Sequence, residues 1–284
     1  MMLIGYSTGE IPEIANIGGP FGGRFLNGTQ GGLVDGIPAR VARLIWFTTA
    51  GNTSTTLSIP TLFAQERNNR IAAVLGLSLP VGTLMRVRLK NASTTVVAFI
   101  DQRAVRFSDG STGAWFVFPF GTPASKFADL VIFNDVNGSA LIAANQVFDI
   151  GEFAVMPAVD IELERGWSFE NIDPSERERS RDSQLNEVAR PPYRSFEGRL
   201  VAHEFNQAYA GGLADGMDLQ KLAISMSAGG RAIAIPRWLA TANTPDQNQI
   251  NATATYGAGR LGKIEHLGGI YYGADIVVEQ CPAN

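Results

Sequence analysis

The side chains best able to do chemistry in this chain are few and widely spaced. His203 and His266 are its whole imidazole complement. Each stands alone, with no HExxH spacing and no pattern that would bring metal ligands to one helix face. The strand-like setting of His203 predicts an interface or core role. No Gly-x-Ser-x-Gly turn occurs to present a nucleophilic serine. The single cysteine, Cys281, has no second thiol to pair with. It can supply neither an intrachain disulfide nor a multi-cysteine zinc site, so a free thiol is expected. Gly18-Gly19-Pro20-Phe21-Gly22-Gly23 lacks the lysine, the leading strand and the following helix that a phosphate loop requires. Asp149, Glu152, Asp160, Glu162 and Glu164 are the remaining candidates. A pair of carboxylates hydrolyses a glycosidic bond only when a cleft holds them roughly 5–10 Å apart. Alternation at 160, 162 and 164 instead puts three like charges on one strand face, the pattern of a solvated face or a seat for a basic partner. These residues imply no cofactor, and the expectation is a protein that is not an enzyme.

Two features point to contact rather than catalysis. Pro236-Arg237-Trp238 ends an apolar strand, and Trp and Arg are enriched at the energetic centres of interfaces. A place for Trp238 in the base of the core is an equal alternative. Upstream, a glycine-rich stretch over residues 1–37 carries scattered apolar side chains, including Phe21 and Phe25, and has no sustained period. Such a segment reads as an arm that docks on a surface. The interface candidates are therefore Phe21, Phe25, Arg237 and Trp238.

The elements that must position these residues are mostly strands. Val41 to Phe47, Leu57 to Ile59, Leu84 to Leu89, Thr94 to Ile100, Ala114 to Phe120, Leu130 to Phe133 and Gln146 to Ala154 have strand character. Asp109-Gly110-Ser111 and Asn137-Gly138 are hairpin-type turns between them. Thr61 to Leu75 has apolar anchors at helical spacing and is predicted to be a helix. Asp173 to Asp182 is a mixed-charge run with little apolar content, which reads as a solvated loop or exposed helix. Beyond it, Arg194 to Phe205 and Arg231 to Ile235 read as strands, Asp215 to Ala228 as an amphipathic helix, and Thr241 to Gln249 as polar loop. The fold class expected is mainly β, a β-sandwich or jelly-roll-like arrangement with a few short helices, in two β-rich domains. The boundaries expected are an arm over 1–37, a sandwich over 38–167, a charged linker over 168–190, and a second β-rich domain with one amphipathic helix over 191–284.

Composition narrows the function classes. A 45% hydrophobic fraction with 18% charged residues suits a globular core and not a disordered chain. A net charge of −4 does not suit a dedicated nucleic-acid binder. The first residues turn polar at Ser7 without a basic lead, unlike a signal peptide, and no apolar run is long enough to span a membrane. Assembly in a cytoplasm is the expectation.

Asp129 to Ser139, Gln146 to Phe153 and Met156-Pro157 resemble the closing strands of the galactose-binding-like β-sandwich in distal tail and minor tail proteins of long-tailed bacteriophages. Arg190 to Leu200 and Gly229 to Trp238 resemble the continuation of such proteins into a second domain. The likeness spans about residues 38 to 240. It departs from the family pattern at Glu152, where a basic residue follows the Ile-Gly turn in relatives. The resemblance implies a virion protein of the tail tip. It would form a homo-oligomeric ring, a hexamer or trimer, between tail tube and baseplate proteins. Carbohydrate or receptor binding at the tip is the alternative.

Overall fold

A computed structural model of the chain describes residues 1–9, 13–14, 22–26, 29–46, 56–140, 142–179, 185–188, 192–227, 230–241 and 244–281. The protein is mainly β, as the strand periodicity predicted, and its antiparallel sheets form a sandwich-like fold. Strands β1 (Met2–Tyr6), β2 (Glu13–Ile14) and β3 (Gly23–Phe25) precede β4 (Ala42–Trp46), β5 (Thr56–Arg67), β6 (Asn69–Leu75) and β7 (Thr83–Lys90). They are followed by β8 (Val96–Arg103), β9 (Val105–Arg106), β10 (Thr112–Val117), β11 (Ser125–Val136), β12 (Val147–Ile150) and β13 (Glu152–Leu163). Next come β14 (Ser168–Ile172), β15 (Glu176–Arg179), β16 (Leu185–Val188), β17 (Tyr193–Ala202) and the helices α1 (Phe205–Tyr209) and α2 (Leu219–Ser227). The chain finishes with β18 (Arg231–Ile235), β19 (Leu239–Thr241), β20 (Thr244–Pro245), α3 (Gln247–Thr253), β21 (Thr255–Leu261), β22 (Glu265–Gly268) and β23 (Tyr271–Gln280). No helix among the described residues is long and apolar enough to cross a membrane.

Two bodies of sheet share the long strand β13. In the first, a five-stranded sheet in the order β2-β5-β11-β7-β8 packs over β6, β10 and the first half of β13. The alternation of β7, with Met85, Val87 and Leu89 inward and Arg86, Arg88 and Lys90 outward, is what a half-buried strand requires. Trp46, Phe63, Phe116, Phe148 and Phe153 fill the space between the layers.

In the second body, β1 lies between β13 and β18. From β18 the ladder continues through β21 and β23 to β17. β17 then returns to β13 through Glu162↔Val201 and Leu163↔Leu200. Six antiparallel strands thus close on themselves as a barrel. Met2, Ile4, Val159, Ile161, Phe196, Leu200, Ala232 and Ile276 share one core with Leu219, Leu222 and Met226 of α2. A third core joins the two bodies, with Leu3, Ile71, Ala73, Met156, Ile233 and Trp238 in contact. β6 is therefore buried on both faces: Ala72 and Val74 face the sandwich, Ile71 and Ala73 the joint.

Several expectations need correction. Met2–Tyr6 is no arm. All five residues are buried, the even ones in the barrel core and Leu3 in the joint, and a segment with two apolar faces gains most at the centre of a sheet. Thr61 to Leu75 is not a helix but the end of β5 and all of β6. Leu57, Ile59, Thr61 and Phe63 alternate inward, and the run Ile71 to Val74 is a doubly buried strand whose periodicity cannot separate it from a buried helix. The polar loop expected over 241–249 contains the start of α3, capped by Asp246, which accepts from the Asn248 and Gln249 amides. The charged stretch 168–190 holds β14, which continues the sheet onto β17, and the paired strands β15 and β16.

The position of β1 has a direct energetic consequence. Ile4 is fully buried and hydrogen-bonded into the barrel wall between Val159 and Ala234. Ile4→Ala should destabilise the protein by about 2–5 kcal/mol in denaturant unfolding. Ile14→Ala, on the half-buried two-residue β2, should cost far less.

Candidate functional site

A polar site lies where the sandwich meets the barrel. A cavity of about 310 Å³ is lined by Tyr6, Gly36, Glu152, Arg231 and Tyr256, among others. Glu152 is the first residue of β13, facing Leu75 of β6 in the ladder, and its side chain is 2% exposed. Its carboxyl accepts the Gly36 amide at 2.9 Å. That approach depends on Gly151, where a Cβ would lie 2.4 Å from the Pro38 carbonyl oxygen, so only glycine lets the 34–40 segment pass so close. Gly36 has φ +76 and sits against Arg231 and the Tyr256 hydroxyl.

Burial pushes the Glu152 carboxyl up to about 8. Neighbouring Asp35 adds to the rise, while the Gly36 and Ile37 amides and Arg231 oppose it. At neutral pH Glu152 therefore holds its proton. Burial also raises the Tyr256 hydroxyl, with Glu152 contributing, and takes Tyr6 to about 12. Arg231 donates to Cys281 Sγ at 2.9 Å, yet burial wins and the thiol is raised, the opposite of an activated cysteine.

The carboxylates singled out in the sequence do not share a cleft. Asp149 takes a two-pronged bond from Arg43 at 2.8 and 3.0 Å. Asp160 pairs with buried Arg70 at 2.5 Å, Glu162 with His203, and Glu164 lies 3.7 Å from Arg199. Each is engaged with a basic side chain of its surroundings, and of these five only Glu152 faces the cavity. Among the described residues no three His, Cys, Asp or Glu side chains converge as a metal site requires.

Of the interface candidates, Phe21 lies outside the described residues. Phe25 is half-buried against the sandwich core. Trp238 is 4% exposed in the joint between the two bodies, so its core role holds and its contact role does not. Arg237 beside it is exposed. Trp238 stacks on Arg70, whose guanidinium carbon lies 5.5 Å from the ring centroid.

A surface that the sequence reading did not assemble gathers both histidines. Phe205 and Tyr209 of α1 meet Tyr272 at 6.2 and 5.7 Å between ring centroids, and His266 meets Tyr272 at 5.1 Å. Across the strand, His203 meets Tyr271 at 5.4 Å. Phe205 is 60% exposed, Ile270 59%, Tyr271 45% and Leu267 44%. The sequence signal was the density of aromatics at 205–209 and 271–272, scattered until β17 and β23 pair Ala202 with Tyr272.

Compared with known proteins, the chain matches no family model and no curated sequence.

The raised Glu152 carboxyl predicts a pH dependence with a definite sign. An unfolded glutamate ionises near pH 4.5 and the folded one only near 8. Stability should be greatest below pH 4.5 for this group and fall as pH rises to about 8, because the unfolded chain sheds the proton first. Chemical denaturation of Glu152→Gln should show that loss abolished over the same window, with the other titrations of the chain unchanged. Retention of the full loss in Glu152→Gln would assign it to another group.

Proposed function

We propose that this chain is a structural component of a bacteriophage tail tip, a distal or minor tail protein. It assembles as a ring between the tail tube and the tip proteins and resides in the virion. The observation that carries the assembly role is the set of exposed apolar side chains on both faces of the β22–β23 hairpin, Phe205 beside Tyr272 on one face and Leu267, Ile270 and Tyr271 at its tip and on the other. Large apolar side chains gathered at one end of a sheet are costly to leave in water, and covering them with a partner recovers the hydrophobic free energy. The likeness of Asp129 to Phe153 and of Gly229 to Trp238 to tail proteins supplies the setting. The mainly β fold agrees with that setting without deciding it.

In a cyclic ring each copy presents two different patches, one to each neighbour. The apolar surface around Phe205 would be one of the two. A second reading, a carbohydrate- or receptor-binding module of the same tip, is favoured by the 310 Å³ cavity, where Tyr6 and Tyr256 stand beside the polar groups of Glu152 and Arg231.

Light scattering on the purified protein and electron microscopy of particles test the first reading. The expected outcome is a closed oligomer in solution or a ring at one end of a tail. A strict monomer that is absent from particles overturns it. Phe205→Ser together with Tyr271→Ser should weaken self-association at least tenfold while leaving the unfolding midpoint close to that of the parent, since both side chains are largely exposed.

A further inference from the structure

We infer that the edge formed by the end of β21 and by β22 is a docking strand for an extended segment of a partner protein, in which basic and apolar side chains alternate. The inference rests on the assembly reading and gives it a partner chemistry.

The edge is open. β18 stops pairing with β21 at Arg231↔Ala258, and β22 pairs with β23 alone. From Gly259 to Gly268 no further strand lies alongside among the described residues. All four residues of β22 are exposed and none is Pro, while the one lysine of the edge, Lys263, stands between β21 and β22. A bulge between His266 and Gly268 bends its tip, so pairing would use the end of β21 and Glu265–His266, with the non-strand residues 262–264 between them.

The two faces of the sheet at this edge differ in chemistry. Glu265 lies opposite Gly273, Asp275 opposite Arg199, and Val277 opposite Glu197, so these residues share the outer face. Glu265 contacts Arg199 at 2.9 Å, with Asp275 at 3.8 Å and Glu164 at 3.7 Å from the same guanidinium. Glu162 stands nearby, paired with His203. Glu265, Asp275 and Glu164 thus share the single guanidinium of Arg199, and with Glu162 and Glu197 this face carries five carboxylates, against Arg199, Arg260 and the nearby Lys263 as cations. The opposite face carries His266 against Tyr272, with Phe205 and Tyr209 of α1 beside them.

An added strand points alternate side chains to the two faces. One set would meet the carboxylates and favours Lys or Arg, while the other would meet the aromatic rings and favours aliphatic or aromatic groups. A second copy pairing antiparallel through the same edge is disfavoured, because centring the 260–266 stretch on itself sets Lys263 beside its own image. A glycan could stack on the rings, but it would leave the backbone edge and the acidic face unanswered.

Fluorescence anisotropy on the full chain tests this with a labelled ten-residue peptide of alternating Lys and Val or Tyr. A scrambled peptide of the same composition and an alternating Glu peptide serve as comparisons. The alternating Lys peptide should bind, weaken as salt is raised, and exceed the scrambled peptide by at least tenfold. Glu265→Lys and Phe205→Ser should each reduce binding at least tenfold, and Glu170→Lys, exposed on β14, should leave it unchanged. Equal binding of the scrambled peptide overturns the inference, as does indifference to Glu265→Lys or binding of soluble glycans in place of the peptide. A monomer that binds the peptide but never enters a particle overturns the tail assignment alone. A ring that ignores the peptide overturns this inference alone.

Discussion

The architecture turns on the fit of Met2–Tyr6 between β13 and β18. That one strand completes the wall of the barrel, and its two faces serve two different cores. β13 is the counterpart. Its first half pairs with β6 in the sandwich, and its second half pairs with β1 on one side and β17 on the other. Sandwich and barrel are therefore not beads on a string, because their hydrogen-bond ladders run through the same twelve residues. The joint between them is largely apolar, with the Arg70–Asp160 pair and the cavity around Glu152 and Arg231 as its polar parts. A buried pair of this sort adds little net stability but strongly penalises arrangements that separate it, which specifies how the bodies meet.

Much of the strand content was legible because the alternation is clean where one face is wet. β7, β8, β11 and β17 fall where period-two patterns stood, and Asn137-Gly138 closes β11 with both residues at positive φ. The pattern was silent where both faces are dry. β1 and β6 are continuous apolar runs, and such a run reads equally as arm, helix or central strand until its neighbours are known. α3 did leave a signal in Asp246 and Gln249, which bond to one another as well as to the backbone, but polar content hid it. Nothing local to residues 2–6 says that residues 158–161 and 232–235 will flank them. Closure of the barrel was accordingly beyond sequence reasoning.

The site was legible in part. The carboxylates were visible as a group, and the structure separates them by environment: three meet arginines, Glu162 meets His203, and one is dry. That one is Glu152, where the resemblance to tail proteins would have led one to expect a basic residue. A basic side chain there would stand beside Arg231 in the cavity, whereas a protonated acid fits beside Asp35 and the Gly36 amide. The aromatic surface was invisible for a different reason. Its members come from β17, α1, β22 and β23, and only the ladder brings them together.

The central place of Met2–Tyr6 also sets an order of events during synthesis. This strand leaves the ribosome long before β13, and longer still before β18, so its apolar residues must wait without partners while the sandwich strands are made. At about 5–20 residues per second, β18 follows on the order of ten seconds later or more. For that interval the nascent chain presents an uncovered hydrophobic strand, a natural target for a holdase chaperone, and the barrel can close only once β23 has been made.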